Sequence, residues 1–322
     1  MAVVAKVARL LAPRQIVFEE QPLDPGRLAA GEVFAETLCS AISVGTEMAA
    51  YLGEPPLRPG PAYPRLVGYC NVAEIRAAGA GGAYAVGQRV LTTQSHRSAF
   101  VCRGDEILAP LPPGADAHHA ATTYLFHLAH EALRTGGCAP QQRVAVIGLG
   151  TLGIATVALA ASLGASVDAY SNRAPARQLA RELGAAGAHA RAEGANGASA
   201  DLVVTTSNRW DDWHLALALA RDGAAISVLG FPGRGQPAPG FNPLDSRYFY
   251  DRQLRVLACG KAPREARRES CAFLLAQIAS GRLPAGRLID GVSPWQELGA
   301  VYEELSRRQE RQMTRILQWR GA

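Results

Sequence analysis

Two stretches concentrate the side chains that could do chemistry. Residues 39–47, CSAISVGTE, place the Cys39 thiol, the hydroxyls of Ser40, Ser43 and Thr46 and the Glu47 carboxylate around a glycine. Hydroxyls at this spacing can donate hydrogen bonds to a substrate oxygen or nitrogen and pass on a proton. A polar turn that merely ends a strand is the plainer alternative. Residues 144–173, VAVIGLGTLGIATVALAASLGASVDAYSNR, carry Gly148, Gly150 and Gly153 in GxGxxG spacing between a buried strand and a helix. In that context the first glycine allows a tight turn, the second lets backbone approach a pyrophosphate, and the third lets helix pack on strand. The helix start at Thr151, Leu152 and Gly153 then presents amides to the anion.

The strand after this helix ends in Tyr170-Ser171-Asn172-Arg173, with Arg177 one helical turn on. A site for NAD(H) normally places Asp or Glu there to accept from the ribose hydroxyls, and a carboxylate would repel a 2′-phosphate. The nearest acid, Asp168, lies inside the strand. A hydroxyl, an amide and two guanidinium groups suit a phosphate, so Ser171, Asn172, Arg173 and Arg177 predict NADP(H). Arg173 as a solvated helix-start residue is the alternative.

Elements must hold these groups in place. The chain has 322 residues, 48% of them hydrophobic, enough for two domains with a substantial core. Residues 1–117 read as short strands joined by Gly/Pro-rich turns, for example EVFAETL and GQRVLTT, a mostly β domain. Residues 118–260 begin with the apolar helix ATTYLFHLAHEALRTGG. Strands RVAVIGLG, SVDAYS, DLVVTT and AAISVLGF then alternate with helices at 151–163, 174–184 and 211–221, the pattern of a doubly wound parallel sheet. Residues 261–322 hold two amphipathic helices and a closing strand, TRILQW, and return to the first domain. The fold class is α/β with a separate β-rich domain.

Composition narrows the function classes. No apolar run reaches the roughly 18 residues that cross a bilayer, and MAVVAKVARLLAPRQ lacks a signal-peptide cleavage site. A cytoplasmic protein with no membrane partner is expected. The six cysteines are scattered, with no CxxC pair and no Cys/His cluster at metal-ligand spacing. The net charge of +5 is carried by arginine, since only Lys6 and Lys261 are lysines. The basic concentrations at 264–268 and 307–315 lack the aromatic interleaving of a nucleic-acid surface and read as solvated helix faces.

A β-rich domain, a dinucleotide-binding unit and a returning C-terminal segment together resemble the medium-chain dehydrogenase/reductase superfamily, whose first domain is GroES-like. In its zinc-containing alcohol dehydrogenases a turn like GICGTD supplies a zinc-ligating Cys. This sequence has Ala41-Ile42-Ser43-Val44-Gly45-Thr46-Glu47, without the thiol, and Cys39 lies too early to replace it. A motif like GHE matches Gly68-Tyr69-Cys70, so Tyr69 stands at the ligand His, and the third ligand position falls near Tyr124. The cysteine-rich structural-zinc lobe is missing as well. The resemblance therefore implies a zinc-less member, and its ISxGTE and GYxxV pattern is similar to the branch of bacteriochlorophyllide dehydrogenases and related biosynthetic reductases.

Without a Lewis acid, the substrate must be polarised by hydrogen-bond donors. The candidates are Ser43, Thr46, Tyr69, Tyr124, His127 and His130, with Thr123 on the helical face of the two histidines and His96 in a loop expected to face the cleft. His118-His119 reads as capping context. In the family's TAxxAL segment the Thr near the nicotinamide becomes Leu128, and Val228-Leu229-Gly230-Phe231 matches the strand end whose backbone nears the nicotinamide amide, so Gly230 and Phe231 join the cofactor residues. The implied activity is zinc-independent, NADPH-dependent hydride transfer to or from a C=O, C=N or activated C=C bond of a small biosynthetic metabolite. A quinone- or enoyl-reductase-like activity and a non-catalytic dinucleotide-binding scaffold are the alternatives. A homodimer through the dinucleotide-binding domain is expected, with the strand ending near Cys259 and the segment 231–249 close to the two-fold axis and Phe241, Tyr248, Phe249 and Tyr250 in the interface; aromatics folded back onto their own subunit are the alternative.

Overall fold

The early strands pair antiparallel and differ in how far they are buried. β1 (Val3–Ala12) buries Ala5, Val7, Ala8 and Leu10 and pairs with β2 (Gln15–Leu23). The computed structural model describes residues 2–195, 197–260, 262–307 and 313–320. Lys261 and residues 308–312, within the basic stretch 307–315, lie outside the described residues. The chain divides into two units, one running to Tyr124 and taking in the C-terminal segments from Pro263, the other spanning Leu125–Ala262.

In the first unit β3 (Glu32–Ala41) leads into α1 (Val44–Leu52), a helix where the sequence predicts a polar turn. The strands that follow are β4 (Arg65–Leu66), β5 (Asn71–Ala78), β6 (Arg89–Thr92), β7 (Ala99–Arg103) and β8 (Ala109–Pro110), and then the short α2 (Ala117–Ala121). β4 extends the β1–β2 pair. The helix α3 (Thr123–Gly136) carries the division between the units in its first turn.

The second unit alternates as its sequence predicts. β9 (Arg143–Ile147), α4 (Thr151–Ser162), β10 (Ser166–Tyr170), α5 (Ala174–Glu182), β11 (Gly187–His189), β12 (Ala200–Thr205), α6 (Trp210–Leu219), β13 (Ala220–Val228), the single turn α7 (Ser246–Phe249) and β14 (Arg255–Ala258) follow in order. All strands are parallel, in the order β11-β10-β9-β12-β13-β14. This is the doubly wound dinucleotide-binding order, and its direction reverses between β9 and β12, where such sheets bind ligands beyond their carboxyl ends. Residues Val144–Ile147 are buried, as a strand covered on both faces requires. Phe241, Tyr248 and Phe249 pack against the Trp213 cluster of this same unit, whereas Tyr250 is 84% exposed.

The returning segment completes the first unit with α8 (Arg264–Ala279), β15 (Ile289–Pro294), α9 (Leu298–Ser306) and β16 (Thr314–Gln318). β16 pairs with β3, giving a larger sheet ordered β15-β16-β3-β5-β6-β8 with β7 also on β3. The basic start of α8 is fastened within the unit: Arg264 pairs with Asp105 at 2.7 Å and Arg268 donates to the Tyr84 hydroxyl at 3.2 Å. Ile42, Met48, Tyr51, Tyr302, Leu317 and Trp319 share one core cluster, so α1 is held between β3 and the returning chain. Among the described residues no helix is long and apolar enough to cross a membrane.

Candidate active site

Ser43 occupies the N-cap of α1, yet its hydroxyl makes no cap hydrogen bond. The cap is made in reverse: Glu47 Oε1 accepts the Ser43 N–H at 2.7 Å. That leaves the Ser43 hydroxyl to bond the Tyr69 hydroxyl, which also donates to Thr46 Oγ1 at 3.4 Å. Three of the predicted residues thus converge. Tyr124 joins them, its ring edge-on to that of Tyr69 with centroids 5.5 Å apart. Burial pushes the phenol pKa of both tyrosines up, so each keeps its proton at neutral pH and serves as a donor.

Glu47 is buried, and its carboxylate is met from three directions. Oε2 lies 2.9 Å from His96 Nε2 and accepts from the Tyr302 hydroxyl, while Oε1 takes the Ser43 amide. Burial alone would push this carboxyl up. The imidazole, the phenol and the amide outweigh it and hold the pKa below the ordinary value. On its other side His96 Nδ1 lies 2.8 Å from Ser40 Oγ, which accepts from Trp319 Nε1 at 2.9 Å. His96, expected to face substrate, is instead fully buried because both ring nitrogens are spent on this network. The ring also explains Gly68, where φ is +84° and a Cβ would lie 2.7 Å from the imidazole.

His127 and His130 belong to the second unit, on α3. His127 is 1% exposed, and His130, half-buried, lies 3.8 Å from Glu131. Burial lowers the His130 pKa against the opposing pull of Glu131, leaving the imidazole neutral near pH 7. Thr123 is fully buried. Cys39 and Cys70 are buried thiols whose pKa is raised chiefly by desolvation. Among the described residues no group of three or more His, Cys, Asp or Glu is assembled to hold a metal ion.

The three glycines of the second unit differ in what demands them. Gly148 has φ +90°, and a Cβ there would meet Thr206 Oγ1 at 3.0 Å and Ser207 N at 3.1 Å. A Cβ on Gly153 would fall 1.8 Å from the Gly148 carbonyl oxygen, so the first turn of α4 lies against the loop that precedes it. Gly150 has an extended backbone, φ −82° and ψ −169°, and a Cβ there would meet nothing within 4 Å. Neither conformation nor internal packing calls for glycine at 150. The space beside it is open, and Thr151 Oγ1, buried next to it, has no partner among the described residues. A pyrophosphate at the start of α4 fits both observations.

The surrounding loops close on this point. Thr206, following β12, donates to the Gly148 carbonyl at 2.8 Å, and Gly230 packs so closely that its Cβ would lie 2.5 Å from the Ser207 carbonyl oxygen. Phe231 N donates to Asn208 Oδ1 at 3.0 Å. No motif marks Thr206, Ser207 and Asn208 in the sequence beyond the position of TTSN directly after a buried strand. At the end of β10, Arg173 reaches over the glycine loop to the Leu149 carbonyl at 2.6 Å, and Arg177 donates to the Ser171 carbonyl at 2.7 Å. Asn172 accepts from the Arg191 amide at 3.1 Å. Leu152 is half-buried in the first turn of α4. Asp168 is paired with His189 at 3.0 Å, inside the strand.

No family model and no curated protein matches the sequence. Solved structures do share its fold. Alcohol dehydrogenase TADH from Thermus sp. ATN1 is 21% identical, with 98% of this chain and 100% of that one covered and a TM-score of 0.79. L-idonate 5-dehydrogenase from Escherichia coli str. K-12 substr. MG1655 is 14% identical, with 99% of each chain covered and a TM-score of 0.83. A zinc-binding dehydrogenase candidate from Sinorhizobium meliloti 1021, solved bound to NADP, is 18% identical over 98% of this chain and 99% of that one, with a TM-score of 0.80. The chain accordingly has the medium-chain dehydrogenase/reductase fold, a GroES-like β-rich domain together with a Rossmann sheet.

The glycines give a stability test. Gly153→Ala should lower the unfolding free energy by about 1–3 kcal/mol, the cost of overpacking. Gly150→Ser, placing a favoured residue at an N-cap, should leave it nearly unchanged. Urea denaturation of both variants separates the two roles, and equal losses would contradict them.

Glu47 gives a pH test. Its folded pKa lies below the unfolded value of about 4.3, so its stabilisation is present above that pH and is lost as pH falls through the folded value. Glu47→Gln should cost about 1–3 kcal/mol at neutral pH, the range for leaving a buried donor without its acceptor. The difference between parent and variant should shrink in urea titrations at progressively lower pH.

Proposed function

We propose that the chain is an NADP(H)-dependent oxidoreductase that moves a hydride to or from a C=O, C=N or activated C=C bond of a small biosynthetic metabolite, without zinc. The observation that carries the reading is Gly150, whose missing side chain answers to no part of the protein, at the switch point of a Rossmann sheet. A nicotinamide dinucleotide, when bound, supplies two-electron hydride chemistry. The start of α4 at Thr151, Leu152 and Gly153 would hold the pyrophosphate, and Gly230 and Phe231 would serve the nicotinamide end. Ser171, Asn172, Arg173 and Arg177 receive the 2′-phosphate, a reading supported by two guanidinium groups where an NAD(H) site carries an acid. Neighbours solved with NADP and with NADH support a nicotinamide dinucleotide, and the preference for the phosphorylated form rests on the end of β10 alone.

Ser43, Thr46 and Tyr69 act as donors to the reacting oxygen or nitrogen. Tyr69 retains its proton until the transition state needs it, and Ser43 bonds its oxygen and can relay a replacement. Tyr124 fixes the Tyr69 ring. His127 and His130 are further candidates for proton handling from α3. Zinc independence is supported by tyrosines at the positions matched to metal ligands, Tyr69 and Tyr124. The ISxGTE and GYxxV pattern, which contains Ser43, Thr46 and Tyr69, motivates the biosynthetic branch.

NADPH consumption over a panel of ketones, imines and enones in the presence of EDTA tests the activity. Turnover insensitive to the chelator is expected, and turnover that EDTA abolishes would remove zinc independence. NADPH binding with no turnover by any compound would favour the scaffold alternative. Arg173→Ala should weaken NADPH by about tenfold or more, as expected for a lost hydrogen bond to a charged group, and leave NADH nearly unchanged.

The homodimer is also proposed, supported by the edge of the parallel sheet at the strand ending near Cys259. β14 is an outer strand whose Arg255, Val256 and Ala258 are exposed. An open edge of this kind invites pairing with a second copy. Light scattering should give about twice the 34.0 kDa chain mass, and a mass near that of one chain would exclude the dimer.

A further inference from the structure

A cavity of about 390 Å³ adjoins the hydroxyl cluster in the first unit. Thr46 and Tyr69 line it together with three arginines, Arg9, Arg58 and Arg65. Their charges are not equally compensated. Arg9 pairs with Glu19 at 2.7 Å. Among the described residues, no carboxylate lies within ion-pair distance of Arg58 or Arg65. Glu47, the one acid lining the cavity, is committed to His96, Tyr302 and the Ser43 amide.

The two unmatched guanidinium groups are neighbours. Arg65 donates to the Arg58 main-chain carbonyl at 3.0 Å, and its Nη1 is buried with no partner. Burial first, and the Arg58 charge after it, lower the Arg65 pKa against the pull of Tyr63. The Arg58 guanidinium lies 4.7 Å from the centre of the Tyr69 ring, so one of the two cations is seated on a candidate catalytic side chain. Like charges held together without a counterion are unfavourable, and guanidinium forks match the oxygens of carboxylate and phosphate. An oxyanion would relieve the repulsion and satisfy the orphaned donor.

We propose that Arg58 and Arg65 bind an anionic group of the substrate, a carboxylate or a phosphate, and so place its reducible bond beside Ser43, Thr46 and Tyr69. The assignment of the anion to the substrate rests on the oxidoreductase reading; the oxyanion site itself does not. The segment YLGEPPLRPGPAYPR, which carries Arg58 and Arg65, is then a specificity loop. Substrates of the same reacting group but no negative charge would be turned over poorly.

Isothermal titration of the full chain with inorganic phosphate, and separately with acetate, tests the site in the parent, in the double variant Arg58→Gln/Arg65→Gln and in Arg173→Ala. At least one ion should bind the parent in the millimolar range, and the double variant should raise its dissociation constant by about tenfold or more. The tighter ion tells phosphate from carboxylate. Arg173→Ala should retain that binding, which separates this site from the end of β10. A thermal midpoint close to the parent's shows the double variant to be folded. No binding of either ion by the parent, or equal binding by parent and double variant, would overturn the proposal. NADPH titration of the same proteins keeps the two readings apart. A parent that takes NADPH but neither ion loses only the anion site. One whose oxyanion binding depends on Arg58 and Arg65 but which takes no NADPH loses only the cofactor reading.

Discussion

A carboxylate in an apolar interior must be met by donors on every side, because the protein has to replace the water it gave up. Glu47 is that carboxylate, and much of the first unit is arranged around it. Its three partners come from the turn before α1, the loop holding His96 and the helix α9. Satisfying Glu47 fixes the start of α1 without using the Ser43 hydroxyl, which turns to Tyr69 instead. The same demand forces Gly68, since the imidazole that serves Glu47 leaves no room for a side chain there. The position of the hydroxyl cluster is thus inherited from an electrostatic requirement behind it.

The second unit depends on a steric requirement. The helix α4 lies against the glycine loop only because position 153 lacks a side chain, and the loop takes its turn only because position 148 does. Both are local effects, encoded by residues a few places apart. For that reason GxGxxG, its strand and its helix were legible in the sequence, as was the alternation that gives six parallel strands. Ser171, Arg173 and Arg177 could be placed at the end of β10 by counting along one strand.

Long-range pairing was not legible. Glu47 stands out in CSAISVGTE only as a carboxylate. Its tie to His96 spans 49 positions and its tie to Tyr302 spans 255. No periodicity connects such residues. The helix α1 was missed because its start is polar and its stabilising contacts lie with α9, far away in sequence. Phe241, Tyr248 and Phe249 were expected at an interface, but a dense aromatic run looks the same whether it covers its own core or a neighbour's. Arg58 and Arg65 sit in a Pro/Gly-rich stretch with no motif, and only their common cavity makes them a pair.

The route of the chain also bears on the order in which it can fold. Residues 125–262 form one uninterrupted stretch, so the parallel sheet has all its strands once that stretch has left the ribosome. The β-rich unit begins before that stretch and is completed only after it. Tyr302, which meets Glu47, and Trp319, which meets Ser40, are supplied by the returning segment. Until they arrive, a carboxylate destined for the interior has only part of its donor set, and β3 has an open side where β16 will pair. The usual N-terminal-first order of nascent domains therefore does not suit the first unit, whose early strands take their final partners from residues that follow the whole of the second.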